Sequence, residues 1–193
     1  MSPGWPATLA CWTPSASLPK PSTEPAAAAW TASSTWSGGW RSATGIEDQS
    51  DEDWDALEAG AITTLRNVSR VFYGQLAASP QGRFAMVSST TAAAPTAAAA
   101  SYAAAKAAAE AWTLAMADGF RRDQAGNAGD PAELHSAAVV FVVKSLVDQS
   151  MRQAHPERKF PGYTDVEELG AAAVRLFEEP AATLNGQRIL LAK

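Results

Sequence analysis

Arg83-Phe84-Ala85-Met86-Val87-Ser88-Ser89 and Ala137-Ala138-Val139-Val140-Phe141-Val142-Val143 are the two stretches on which the fold turns. The first is short, mostly apolar and preceded by the turn Ser79-Pro80-Gln81-Gly82, which suits a buried strand. The second is unbroken in its apolar character, which implies burial on both faces, as in a parallel sheet. Helical spacings surround them. From Ser50 onward, Trp54, Leu57, Ala61, Leu65, Val68, Val71 and Phe72 recur three and four apart, predicting an amphipathic helix to about Leu76. Ser50 and Asp53 form a capping box at its start. Residues 100–119 predict a second, Ala-rich helix ending near Gly119, and residues 121–133, with Gly126, Gly129 and Pro131, a loop. Residues 145–154 suit a short helix. Thr164, with Glu167 completing a capping box, predicts a helix over 165–178. Leu184-Asn185-Gly186 turns into a final strand over 188–191. This alternation of helix and strand predicts α/β layers around a parallel sheet.

The chain has 193 residues, enough for one domain with a hydrophobic core. Its net charge of -5, without a basic run, argues against a nucleic-acid or anionic-membrane partner. A single cysteine, Cys11, excludes an intramolecular disulfide framework and a Cys-rich zinc site, and reads as an inert thiol. No apolar stretch reaches the roughly 18 residues of a membrane span, and no secretory signal is present, which points to the cytoplasm. His135 and His155 do not make a metal site, and the acidic run over 47–53 reads as a solvated helix start favoured by the helix dipole. Residues 1–40 stand apart. They hold five of the seven tryptophans, six of the twelve prolines and no Val or Ile. They read as irregular, because strands favour β-branched residues and helices reject scattered prolines.

One pair carries chemistry. Tyr102 and Lys106 are one helical turn apart and share a face of the Ala-rich helix. An ammonium near a phenol favours the phenolate, so Lys106 is expected to lower the pKa of Tyr102. A tyrosine tuned in this way exchanges a proton with a carbonyl or carbinol oxygen. Ser89, at the end of the first strand, could hydrogen-bond the same oxygen.

The stretch from Gly82 to Ser89, followed by Tyr102-Ala103-Ala104-Ala105-Lys106-Ala107-Ala108-Ala109-Glu110-Ala111, closely resembles the short-chain dehydrogenase/reductase family. The resemblance runs from about Gly38 to the C-terminus. It implies a partial Rossmann-like, doubly wound parallel sheet over 38–193, with 1–37 as an irregular or out-of-frame arm. It also implies reversible hydride transfer between NAD or NADP and a small alcohol or carbonyl. In that scheme Tyr102 is the general acid/base. Lys106 lowers its pKa and holds the nicotinamide ribose, and Ser89 orients the substrate oxygen. Tyr102, Lys106, Gly38 and Gly39 are the implied cofactor contacts. The helices around Trp54 and Trp112 imply a homo-oligomer, with Trp112 either an interface anchor or a core residue.

Three features depart from the family pattern. Ala61 stands where the family has a catalytic asparagine, with Asn67 in a different register. Lys144-Ser145-Leu146-Val147 replaces a Pro-Gly beside the nicotinamide. No Gly-x-x-x-Gly-x-Gly turn is present to hold a pyrophosphate. Read one nucleotide back, with TCN serine codons, residues 30–38 give Asp, then a largely apolar run with Val, then Gly, Arg or Trp. That pattern resembles the family's fourth strand, and a shifted frame is the preferred account of the arm. The alternative function is a non-catalytic fragment retaining only the dimer-forming half.

Overall fold

The computed structural model describes residues 29–32, 42–127 and 130–191. Cys11, Gly38 and Gly39, and with them most of the expected arm, lie outside the described residues. Four strands form one parallel sheet: β1 (Ala29–Ala32), β2 (Arg83–Ser89), β5 (Ala137–Val143) and β8 (Arg188–Leu190), in the order β1-β2-β5-β8. Between them run α1 (Asp51–Leu57), α2 (Thr64–Ala78), α3 (Ala100–Asp123), α4 (Gln149–Ala154), α5 (Val166–Arg175) and α6 (Ala181–Leu184). Two small ladders complete the described fold, β3 (Gly126–Asn127) with β4 (Asp130–Pro131) and β6 (Leu146–Val147) with β7 (Thr164–Asp165).

β2 and β5 have the bounds that the sequence predicts. They pair residue for residue from Arg83 with Ala137 to Ser89 with Val143, and every residue of both is buried. Their side chains alternate between two cores. Phe84, Met86, Ala138, Val140 and Val142 pack with Leu65, Leu76, Met116 and Phe120 of α2 and α3. Ala85, Val87, Val139, Phe141 and Val143 pack with Leu169, Ala172 and Leu184 of α5 and α6. Helices therefore cover both faces of the sheet, the doubly wound arrangement expected from the apolar runs.

Several expectations are corrected. Within the segment read as irregular, Ala29–Ala32 is a strand, in parallel register with Arg83–Met86. Pairing with the edge of a buried strand overrides its weak β propensity. α3 runs through Gly119 to Asp123. That glycine makes room for Tyr73, whose hydroxyl oxygen would lie 2.4 Å from a Cβ at 119. The cap of α5 is Asp165, which accepts a hydrogen bond from the Glu167 amide, while Thr164 belongs to β7. The helix from Ser50 reaches Ala78, but Glu58–Thr63 is wound as a π-helix. There the amide and hydroxyl of Thr64 both donate to the Ala59 carbonyl. Ser50 caps α1 by accepting from the Asp53 amide, as the sequence predicts.

The amino end of β2 is held by Arg83. Its buried guanidinium donates to the carbonyls of Leu176 (2.7 Å), Gly82 (3.0 Å), His135 (2.9 Å) and Glu179 (2.9 Å). Gly82 beside it is a close-approach position, because an added Cβ would sit 2.2 Å from the Leu76 carbonyl oxygen. Gly82→Ala is expected to destabilise the fold by about 1–3 kcal/mol through overpacking. Gly74, exposed in α2 with open space around it, gives the opposite sign: Gly74→Ala stabilises by about 0.5–1 kcal/mol. Chemical denaturation of both variants checks the pair, and equal effects would contradict this packing.

Candidate active site

The site is built where β2 ends and α3 begins. Ser89 closes β2 and caps a short 3-10 turn, Thr90–Ala92. Its Oγ accepts from the Thr91 amide (3.2 Å) and lies 3.1 Å from the Thr91 hydroxyl. α3 starts without a cap from its own N-cap residue, Ala99. Gln49 serves instead: its Oε1 accepts from the amide (3.1 Å) and hydroxyl (2.6 Å) of Ser101, fifty-two positions along the chain. Its Nε2 donates to the carbonyls of Gly45 (2.9 Å) and Ala97 (3.0 Å). The 42–49 loop thus fixes the turn that carries Tyr102. No local pattern in the sequence singles out Gln49, because its partner is distant along the chain.

Ser89, Tyr102 and Lys106 come together. The hydroxyls of Ser89 and Tyr102 share a hydrogen bond. Lys106 is 3% exposed, and its Nζ donates to the Val87 carbonyl at 3.0 Å. The ammonium lies 5.8 Å from the centroid of the Tyr102 ring. An ammonium carries three donors. Among the described residues, Val87 is the one acceptor bonded to it, so two donors of a buried cation are left over.

The electrostatics correct one expectation. Burial pushes the Tyr102 phenol up, and only its hydrogen bond with Ser89 opposes this. Lys106, turned onto Val87, does not bring the phenol toward neutrality. Lys106 itself is pulled down from 10.5 to about 8 by burial, with Glu110 acting in the opposite direction. Ala61 is buried in the π-helical turn and packs with Leu57 and Ala105 beside Tyr102. A methyl group therefore occupies the position where the resemblance implies an amide. Lys144 is exposed, donates to the Pro161 carbonyl (3.2 Å), and leads into the β6–β7 ladder beyond the end of β5. Trp112 is engaged within the chain: its Nε1 donates to Ser69 at 2.8 Å, and Arg66 lies 5.5 Å from its ring centroid.

Fold and geometry together define a Rossmann-like α/β protein with a Ser, Tyr and Lys at the carboxyl end of its sheet. Residues 37–125 match the family profile described as short chain dehydrogenase. No curated protein matches the sequence. Among solved structures, it is similar to a gluconate 5-dehydrogenase from Burkholderia cenocepacia in complex with NADP and tartrate. That match has 21% identity and a TM-score of 0.59, and covers 78% of this chain and 58% of the other. It is also similar to a 3-oxoacyl (acyl-carrier-protein) reductase from Agrobacterium tumefaciens with NADP bound. There the identity is 18% and the TM-score 0.60, over 77% of this chain and 58% of the other. A third is an NADPH-bound short chain oxidoreductase from Pseudomonas aeruginosa with an atypical catalytic center. It is 17% identical, with a TM-score of 0.58, over 78% of this chain and 60% of the other. The chain thus spans about three-fifths of the length of these structures.

A pH signature follows from the buried groups. Between about pH 8 and 10 the folded protein has released the Lys106 proton that the unfolded chain still binds. Stability is therefore expected to rise across that window, by about 2 kcal/mol. Above 10 the trend reverses. Tyr73, raised to about 12 by burial and by its bond to Asp123, and the raised Tyr102 stay protonated in the fold while the unfolded chain loses those protons. Denaturant titrations from pH 7.5 to 11 read both limbs. Lys106→Met should flatten the rising limb, and an identical rise in that variant would show that Lys106 is not its source.

Proposed function

We propose that this chain is a dehydrogenase or reductase module that uses NAD or NADP to interconvert a small alcohol and its carbonyl. The observation that carries this reading is the buried Lys106 ammonium beside Tyr102, with two donors unused by the described protein groups. A buried cation with spare donors suits a hydroxyl-rich ligand, and the two hydroxyls of a nicotinamide ribose fit that demand. When bound, the nicotinamide supplies or takes up the hydride.

The side chains do the rest. Ser89 Oγ, fixed by the Thr91 turn, orients the substrate oxygen. The Tyr102 hydroxyl gives that oxygen a proton in reduction and takes it back in oxidation. Lys106 holds the ribose and presents positive charge near the phenol. Gly38 and Gly39 belong to the same proposal as further cofactor contacts. Residues 38–193 are the working α/β unit of this proposal, as a homo-oligomer in the cytoplasm. Two further points are in keeping with it: no described helix is long and apolar enough to cross a membrane, and members of this family act on small molecules.

NADPH and NADH fluorescence titrations test cofactor use directly. Micromolar binding is expected, and no binding at millimolar cofactor would overturn the reading in favour of the non-catalytic alternative. With binding in hand, oxidation of NADPH against a panel of small carbonyls reads turnover. Tyr102→Phe should cut it by about 10²–10⁴-fold while cofactor binding persists. Wild-type turnover in that variant would remove Tyr102 from the mechanism.

A further inference from the structure

Glu110 lies one turn beyond Lys106 on α3, and the function proposed above gives it no role. Its side chain is buried between three elements. The Ser88 hydroxyl on β2 donates to Oε1 at 2.5 Å. Arg188 on β8 donates from Nε to Oε2 at 2.8 Å and from Nη2 to Oε1 at 3.3 Å. Ser88 pairs in register with Val142, and Arg188 with Val140. The carboxylate therefore crosses over the central strand β5 and ties the strands on either side of it. Ser88 also follows Val87, whose carbonyl holds the Lys106 ammonium. One carboxylate thus clamps the peptide on which Lys106 rests and places a negative charge on the same buried helix face.

We propose that Glu110 is a positioning residue: clamped by Ser88 and Arg188, it keeps the Lys106 ammonium charged and seated on the Val87 carbonyl. This rests on the assignment of Lys106 to the site. Among the described residues, the elements packed around Lys106 carry few charged and titratable groups. α3 offers Tyr102 and Glu110, and β8 offers Arg188, which is spent on Glu110. β2 offers the Val87 carbonyl and the neutral hydroxyls of Ser88 and Ser89. The π-helical turn offers Glu58, which accepts from the Thr63 hydroxyl at 2.8 Å. Glu110 is thus the carboxylate that counters the cost of burying the Lys106 charge. A purely structural tie between β2 and β8 would need the hydrogen bonds of Glu110 but not its charge.

The test is a lysine titration of the full chain labelled with ¹³C at Cε, followed by NMR. Of the five lysines, the signal that disappears in Lys106→Arg is expected to titrate near 8. Glu110→Gln keeps the volume, an acceptor for Arg188 Nε and an amide that can donate to Ser88, loses the longer Arg188 Nη2 bond and the charge, and should move that midpoint down by about 1 unit. Glu110→Asp keeps the charge but withdraws it from the clamp by one methylene, and should move the midpoint down by less than Glu110→Gln does. An unchanged midpoint in Glu110→Gln overturns the proposal, and should that variant fail to fold, an unchanged midpoint in Glu110→Asp overturns it instead. Ser88→Ala, which loses the tie but keeps the charge, should lower the melting temperature and leave the midpoint within about 0.3 unit. The titration needs neither cofactor nor turnover. Absent NADPH binding would therefore defeat the proposed function while leaving the Lys106–Glu110 coupling measured.

Discussion

The pairing of β2 with β5, seven residues against seven with every side chain buried, is the constraint on which the rest of the structure depends. Parallel neighbours cannot be joined by a tight turn, so the chain must leave β2, cross over and return. α3 is that crossover. Burial on both faces then requires a helical layer on each side, supplied by α2 and α3 on one and by α5 and α6 on the other. The same register brings Ser89 and Val143 to a common edge. In open α/β sheets, the carboxyl ends of the strands are where ligands bind. Tyr102 and Lys106 reach that edge because α3 starts there, and α3 starts there because β2 ends there.

Two buried cations stand at opposite ends of β2, and their surroundings differ in a way that separates architecture from chemistry. Arg83, at the amino end, spends its donors on four backbone carbonyls. With four of its five donors bonded, it staples the start of the strand to the end of α5. Lys106, at the carboxyl end, spends one donor on Val87 and keeps two that no described residue engages. Leaving buried donors unmade is costly, and such groups in native proteins call for an explanation other than packing. The Ala-rich sequence of α3 contributes to both outcomes. Small side chains at Ala103, Ala105 and Ala109, all buried, bring the helix close to its neighbours and so take Lys106 and Glu110 out of water.

Much of this was legible in the sequence, and the reasons for the gaps are physical. The apolar runs of β2 and β5 were read to the residue because uninterrupted burial leaves a pattern that hardly depends on context. The shared helix face of Tyr102 and Lys106 is legible from helical periodicity, whereas Ser89 is tied to them in the sequence only by the resemblance to the short-chain dehydrogenase/reductase pattern. β1 was not, since Ala-Trp-Thr-Ala becomes a strand only through the partner edge that β2 offers. Gln49 and Gln124 were not, because each works across long sequence distances. Gln124 donates to Ala77 and Ser136 and accepts from the amides of His135 and Ser136. The π-helical turn at Glu58–Thr63 left the apolar spacing intact enough to read as an ordinary helix. The direction of the Tyr102 pKa was misread for a related cause: spacing along a helix gives proximity to Lys106 but not the depth of burial, and burial decides the sign.

That sign bears on the proposed chemistry. A phenol held protonated is an acid near neutral pH. In the proposed assignment it can donate to a carbonyl oxygen as it stands, whereas acting as a base requires positive charge to come closer to it. The nearest source is Lys106, which shares its helix face and is held back by one bond to Val87. Engaging the two spare donors would draw the ammonium toward whatever oxygens occupy the site, and a cation brought closer to the phenol lowers its pKa. Lys106 can do this only while charged, and burial alone works against that charge. Glu110 supplies the opposing field from a position locked by two strands. In the proposed assignment, the proton-handling capacity of Tyr102 thereby depends on a carboxylate that never touches it, through a lysine pulled down to about 8 by burial.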